Sequence, residues 1–218
     1  KKFNKFGGQV MNVQKPWLKH YPKEIAPSLN YPTEPLHSYL EQSAKKYPSK
    51  IAIHFMGKEL TYNELYESAL KFGNYLQNLG VEKGDRVAIM LPNCPQSVIA
   101  FYGILFAGGI VVQTNPLYME RELSYQMSDS SSKVIITLDI LYPRVTKVMP
   151  QTELQHIIVT SIKDFLPFPK NLLYPFVQKR QYGFTVHVKH EGNQHLFTEI
   201  LKQGQKQINT PKIDYEED

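Results

Sequence analysis

Four short apolar runs, at residues 87–91, 110–113, 134–137 and 157–160, alternate with segments whose apolar residues recur at helical spacing. Few folds accept that order. Strands with no polar alternation are buried on both faces. A helix between two neighbouring strands makes each pair parallel, because the chain must return along its length before the next strand begins. The pattern predicts an α/β fold: a partial doubly wound, mainly parallel sheet with flanking helices.

Local signals sharpen the helices. Thr61 and Glu64 have capping-box spacing, Leu65, Ala69, Phe72, Leu76 and Leu79 fall on one helical face, and Gly80 supplies a stop. Gly84-Asp85 precedes the run at 87–91 and Pro92 ends it. Pro95 suits the first turn of a helix reaching towards Phe106, with Gly108-Gly109 beyond. Asn115-Pro116 breaks the next strand, and Leu123 and Met127 mark a further helix. Upstream, Leu36, Leu40 and Ala44 indicate a helix ending near Tyr47, because Pro48 follows. Residues 51–55 and 59–61 flank Met56-Gly57-Lys58 as a hairpin.

Three regions follow. Residues 1–10 read as a non-native leader: Gly7-Gly8 can be encoded by a ribosome-binding sequence placed just before a Met11 codon, with an added linker as the other reading. Residues 11–160 form the α/β subdomain, introduced by an extended arm carrying Pro16, Pro22, Pro27, Pro32 and Pro35, with Trp17, Tyr21 and Tyr31 as apolar anchors. Residues 161–218 read as peripheral strands and a connection, with weak alternation at 184–188 and an acidic end at 214–218.

Composition removes several functions. Against 20 acidic residues stand 25 basic ones, a net charge of +5 with no Lys/Arg run to track phosphates, so no nucleic-acid partner is expected. The single cysteine, Cys94, excludes an internal disulfide framework and fits a reducing cytoplasm. The apolar stretch 98–112 is about 15 residues long, short of the ~20 a transmembrane helix needs, and Gly108-Gly109 interrupts it. A buried helix followed by a buried strand accounts for it.

No candidate for chemistry outweighs a structural role. Neither a Gly-x-x-x-x-Gly-Lys-Ser/Thr loop nor a Gly-x-Gly-x-x-Gly turn is present. Residues 128–133, Ser-Asp-Ser-Ser-Ser-Lys, lack glycine and read as a solvated turn. His187, His190 and His195 lack a carboxylate pattern that would make them converge on a metal, and read as surface histidines. Cys94 lies near a helix start, where a thiolate would be favoured, but no base can be tied to it; a small helix-start residue is the simpler role. Asp85-Arg86 reads as a local structural ion pair.

Taken together, Leu60-Thr61-Tyr62-Asn63-Glu64-Leu65, Gly84-Asp85-Arg86-Val87-Ala88, Leu91-Pro92-Asn93 and Ala107-Gly108-Gly109 resemble the adenylate-forming (AMP-binding) superfamily. Asn115-Pro116-Leu117-Tyr118, Arg121-Glu122-Leu123 and Lys133-Val134-Ile135-Ile136-Thr137 resemble its fatty acyl-CoA synthetase branch. Residues 166–175 are similar to bacterial long-chain fatty acid ligases. The resemblance implies the N-terminal part of the family's large domain. It also implies a parent enzyme that joins fatty acid and Mg-ATP into an acyl adenylate with loss of pyrophosphate, then passes the acyl group to CoA with loss of AMP. The family's phosphate loop, acidic Mg²⁺ ligand, ribose-binding Asp and C-terminal-domain Lys have no counterpart in this sequence. Hence no catalytic, cofactor-binding or metal residue is assigned to any position. ATP, Mg²⁺ and CoA belong to the parent, and none is expected to bind this part alone. The expected partners are the downstream part of the ligase and, in the complete enzyme, a fatty acid; peripheral membrane contact stays open. The other reading is a non-catalytic association or binding module on the same fold. Without the downstream part, an apolar face of the sheet is expected to lie uncovered.

Overall fold

The structure is a computed structural model that describes residues 15–29, 32–183, 188, 190 and 192–214. The leader at 1–10, Tyr31 and most of both the 184–188 alternation and the acidic end lie outside the described residues. Two compact units are present, Lys1–Thr33 and Glu34–Asp218. In the first, Pro16–His20 forms a 3-10 helix with proline in its opening turn and no buried residue, Trp17 included. The expected arm therefore contains one helical turn, and Trp17 is not an anchor.

The second unit opens with α1 (Leu36–Lys46), the hairpin strands β1 (Ile51–Phe55) and β2 (Lys58–Thr61), and α2 (Tyr62–Asn78). Met56 and Gly57 both take positive φ, 52° and 97°, as a tight two-residue hairpin turn requires. At the start of α2 the Thr61 hydroxyl accepts from the Glu64 amide at 3.2 Å, and Glu64 accepts from the Thr61 amide at 2.8 Å. At its end Gly80 is left-handed, its N–H donating to the Gln77 carbonyl while the Val81 N–H reaches the Leu76 carbonyl. This is a Schellman stop. Leu65, Ala69, Phe72 and Leu76 are all buried, and each large apolar side chain so placed contributes about 1.5–3 kcal/mol. Leu79, in the expected stripe, is the C-cap instead and only half-buried.

β3 (Arg86–Met90), β4 (Ile110–Gln113), β5 (Val134–Leu138), β6 (His156–Thr160) and β7 (Gln194–Leu196) form one sheet in the order β4-β3-β5-β6-β7, every neighbouring pair parallel. Between them run α3 (Pro95–Ala107), α4 (Glu120–Ser130), α5 (Tyr142–Val148) and α6 (Lys170–Tyr182), with α7 (Phe197–Gln203) last. The period-2 alternation divides the core. Val87, Ile89, Val134, Ile136 and Ile158 join Phe72, Leu76, Ile99, Ile104, Phe197 and Ile200 from α2, α3 and α7. Ala88, Met90, Ile135, Ile157 and Val159 meet Leu123 and Met127 of α4 and Val145 and Val148 of α5. Both faces are covered, so the expected uncovered sheet face is absent from the described residues. Apolar exposure lies instead at the β4 edge, where Ile110 is half exposed, and on α6.

The structure adds elements that periodicity missed. α5 has only seven residues, and β7 only three. α6 contains Pro175 in its interior, where the ring removes a backbone donor, and Gln178 is its one buried side chain among those described.

Candidate functional site

In sheets wound on both faces, ligands enter at the carboxyl ends of the strands where the winding reverses. β3 leads through α3 to β4 on one side, and β4 leads through α4 back past β3 to β5, so the reversal falls between β3 and β5. Next to it, polar side chains gather. Gln96, in the first turn of α3 and fully buried, donates to the Thr160 hydroxyl at 3.2 Å and the Ser161 carbonyl at 2.9 Å at the end of β6. The Thr160 hydroxyl in turn donates to Asp164 at 3.0 Å, and the Ser161 amide donates to the same carboxylate oxygen at 2.8 Å. Gln178 of α6 donates to Asp139, just past β5, at 3.0 Å. A cavity of about 200 Å³ opens here, lined by Asp139, Thr160, Ser161, Asp164, Leu196 and Thr198.

Burial pushes the Asp164 carboxyl above the usual carboxylate range; its hydrogen bonds and nearby Lys163 pull the other way without winning. Among the described residues Gln96 Oε1, Thr137 Oγ1 and Ser161 Oγ are buried there with no hydrogen-bond partner. The cluster can recognise a small polar group. Among the described residues no hydroxyl lining the cavity is hydrogen-bonded to a histidine. Gln96 and Asp164 were not found from sequence. Ser161-x-x-Asp164 has a capping pattern that could have flagged the acid, whereas nothing local marks Gln96.

A second cavity, about 380 Å³ and bordered by Pro35, Leu36, Leu105, Ile110 and Ile213, lies by the amino end of β4. It is away from the reversal point.

His195 is buried, not on the surface; its Nε2 lies 3.1 Å from His156 Nδ1 and its Nδ1 3.0 Å from the Tyr75 hydroxyl, which is 3.4 Å from His190 Nε2. Burial, then the neighbouring His156 and His190, push the His195 imidazole down to about 4. His187 lies outside the described residues. Among those described, no group of three or more His, Cys, Asp or Glu could hold a metal ion. Cys94 is the N-cap of α3, and burial raises its thiol above its ordinary value, overriding the helix-start amides. Ser128–Ser130 complete α4, Ser131 is left-handed and Ser132 is fully buried, so the expected solvated turn is a helix end. The Asp85 carboxylate pairs with Lys133 at 2.8 Å rather than with Arg86, whose guanidinium donates to the Ser130 and Gly84 carbonyls at 2.8 and 3.3 Å.

This doubly wound scaffold has close relatives. Residues 40–209 match the profile of the AMP-binding enzymes, and the chain belongs to that family. It is 51% identical over 211 residues to a long-chain-fatty-acid–CoA ligase of Bacillus subtilis, a match covering 95% of this chain and 37% of that protein. It is 40% identical to the long-chain-fatty-acid–CoA ligase of Escherichia coli O157:H7, over 77% of this chain and 30% of that one. The crystal structure of a long-chain-fatty-acid–CoA ligase from Archaeoglobus fulgidus superimposes with a TM-score of 0.67 at 23% identity, covering 88% of this chain and 34% of that chain. The chain thus spans about a third of its relatives' length and corresponds to their N-terminal part.

The residues present do not fit a nucleoside triphosphate. Among the described residues Asp139 and Asp164 line the polar cavity, Lys163 is the one lining cation, and no glycine-rich run of amides faces it.

Proposed function

We propose that this chain is the N-terminal scaffold of a long-chain fatty acid–CoA ligase acting in the cytoplasm, and that it performs no chemistry alone. The observation carrying this is the 51% identity to the B. subtilis ligase along almost the whole chain. In the complete enzyme ATP, Mg²⁺ and CoA would be held by residues beyond those matched here. The polar cluster around Gln96, Thr160 and Asp164 would fix the carboxyl end of β6 against the start of α3, on which that machinery is built. Leu117, Met119 and Tyr125, exposed beside edge strand β4, favour a related reading in which the chain is an association partner. The two readings share one test: supply the remaining part of the B. subtilis ligase as a separate chain. Co-purification with a raised thermal midpoint is expected from mass-action linkage. A chain that unfolds cooperatively and ignores the second part contradicts the proposal.

A further inference from the structure

We propose that His156, His195, Tyr75 and His190 form a pH-operated clasp, in which proton uptake at His156 frees the His190 loop from β7 and opens one wall of the polar cavity. His156 opens β6, His195 is the middle residue of β7 and Tyr75 lies on α2; of the four, His190 alone stands outside the helices and strands. One backbone amide sets the direction of every bond between them. The Leu196 N–H donates to His190 Nδ1 at 2.9 Å, so the neutral ring holds its hydrogen on Nε2. That hydrogen points at the Tyr75 hydroxyl oxygen, 3.4 Å away. The Tyr75 hydrogen then has one acceptor left among the described residues, His195 Nδ1 at 3.0 Å. His195 in turn carries its hydrogen on Nε2 and donates it to His156 Nδ1 at 3.1 Å. These partners assign all three imidazoles as Nε2–H tautomers.

A proton on His156 occupies Nδ1 and faces the hydrogen on His195 Nε2. The two rings cannot part, because β6 and β7 are paired strands with Ile158 opposite His195. Reversal keeps the bonds instead: His195 donates from Nδ1 to Tyr75, and Tyr75 donates to His190 Nε2. The chain then holds one proton more, and His190 carries its hydrogen on Nδ1, opposite the Leu196 N–H. Two donors repel there, and the His190 loop is the partner free to move. Val188, two residues before His190, and Leu196 both line the cavity at the end of β6. Burial holds His156 below the ordinary histidine value of 6.5, so the clasp is shut at neutral pH. Around it, Lys71 of α2 donates to the Leu201 carbonyl, Glu199 of α7 pairs with Lys202, and Tyr142 of α5 is hydrogen-bonded to Gln194. Among the described residues, only His156 and His190 act on His195 by charge. The clasp does not depend on the ligase reading.

The test is nitrogen-15 NMR of the histidine rings and of the Leu196 amide in the 218-residue chain, from pH 7 down to 5. At pH 7 all three rings should show hydrogen on Nε2. As His156 titrates, protection of the Leu196 amide against hydrogen exchange should fall about tenfold with the same midpoint. His156→Gln, which accepts from His195 but takes up no proton, should keep Leu196 protected to lower pH. Tyr75→Phe, which cuts the chain, should separate the two midpoints. His54→Gln, at an exposed histidine of β1, should change neither. Hydrogen on Nδ1 of His190 or His195 at pH 7 overturns the proposal. So does an unchanged midpoint for Leu196 in His156→Gln, which would mean that His190 titrates by itself.

Discussion

Asp85 and Lys133 form a partly buried ion pair, 2.8 Å between carboxylate and ammonium, that ties the turn before β3 to the residue just before β5. Arg86 beside it donates to the Ser130 carbonyl, the last of α4, where a cation meets the negative end of the helix. The turn Gly84-Asp85-Arg86 therefore pins two neighbouring elements as well as starting its own strand. Asp85→Asn keeps an acceptor for the Glu82 amide but loses the charge, and should cost about 1 kcal/mol. A double-mutant cycle with Lys133→Met should return a coupling of about the same size in chemical denaturation; independent effects would show that the pair is incidental.

His195 sets an acid limit on stability. Its folded-state value of about 4 lies below the ordinary histidine value of 6.5, so between these pH values the unfolded chain binds more protons. Stability is complete above about 6.5 and is lost as pH falls towards 4. Allowing for screening by water near the ring, the loss is about 1–2 kcal/mol. His195→Gln keeps a donor and an acceptor for Tyr75 and His156 but cannot titrate. Thermal midpoints measured from pH 7 down to 4.5 should fall less steeply in that variant. Parallel slopes would assign the acid sensitivity elsewhere.

α2 and α3 cross closely where Gly73 faces Gly103: a Cβ on Gly73 would stand 2.7 Å from the Gly103 carbonyl. A Cβ on Gly103 would stand 2.8 Å from Phe72 Cδ1 and 3.0 Å from the Ala69 carbonyl, which belongs to backbone and cannot swing aside. Gly103→Ala should destabilise the chain by about 1–3 kcal/mol, more than the helix-propensity gain of roughly 1 kcal/mol offsets, as read by urea denaturation. An unchanged or raised midpoint would mean that the helices separate easily.

The central architecture was legible because burial writes itself into residue spacing. Val87, Ile89, Val134 and Ile136 face one core while Ala88, Met90 and Ile135 face the other, and that two-sided demand leaves unbroken apolar runs. α6 was not legible, because its apolar side chains point outward and Pro175 sits within it. The candidate site was harder still. Gln96 and Thr160 are 64 residues apart and become neighbours only through the winding of the sheet. His195 looked like a surface residue because β7 pairs only along three positions, yet its partner opposite, Ile158, lies in the core.

The most direct measurement of the scaffold account is fatty-acid-dependent exchange of labelled pyrophosphate into ATP. The purified chain alone should give none above a no-protein control, and exchange should appear when the remaining part of the B. subtilis ligase is added. Exchange by the chain alone, abolished when fatty acid is withheld, would contradict the account, since the groups that hold and polarise the phosphates would then lie within this chain.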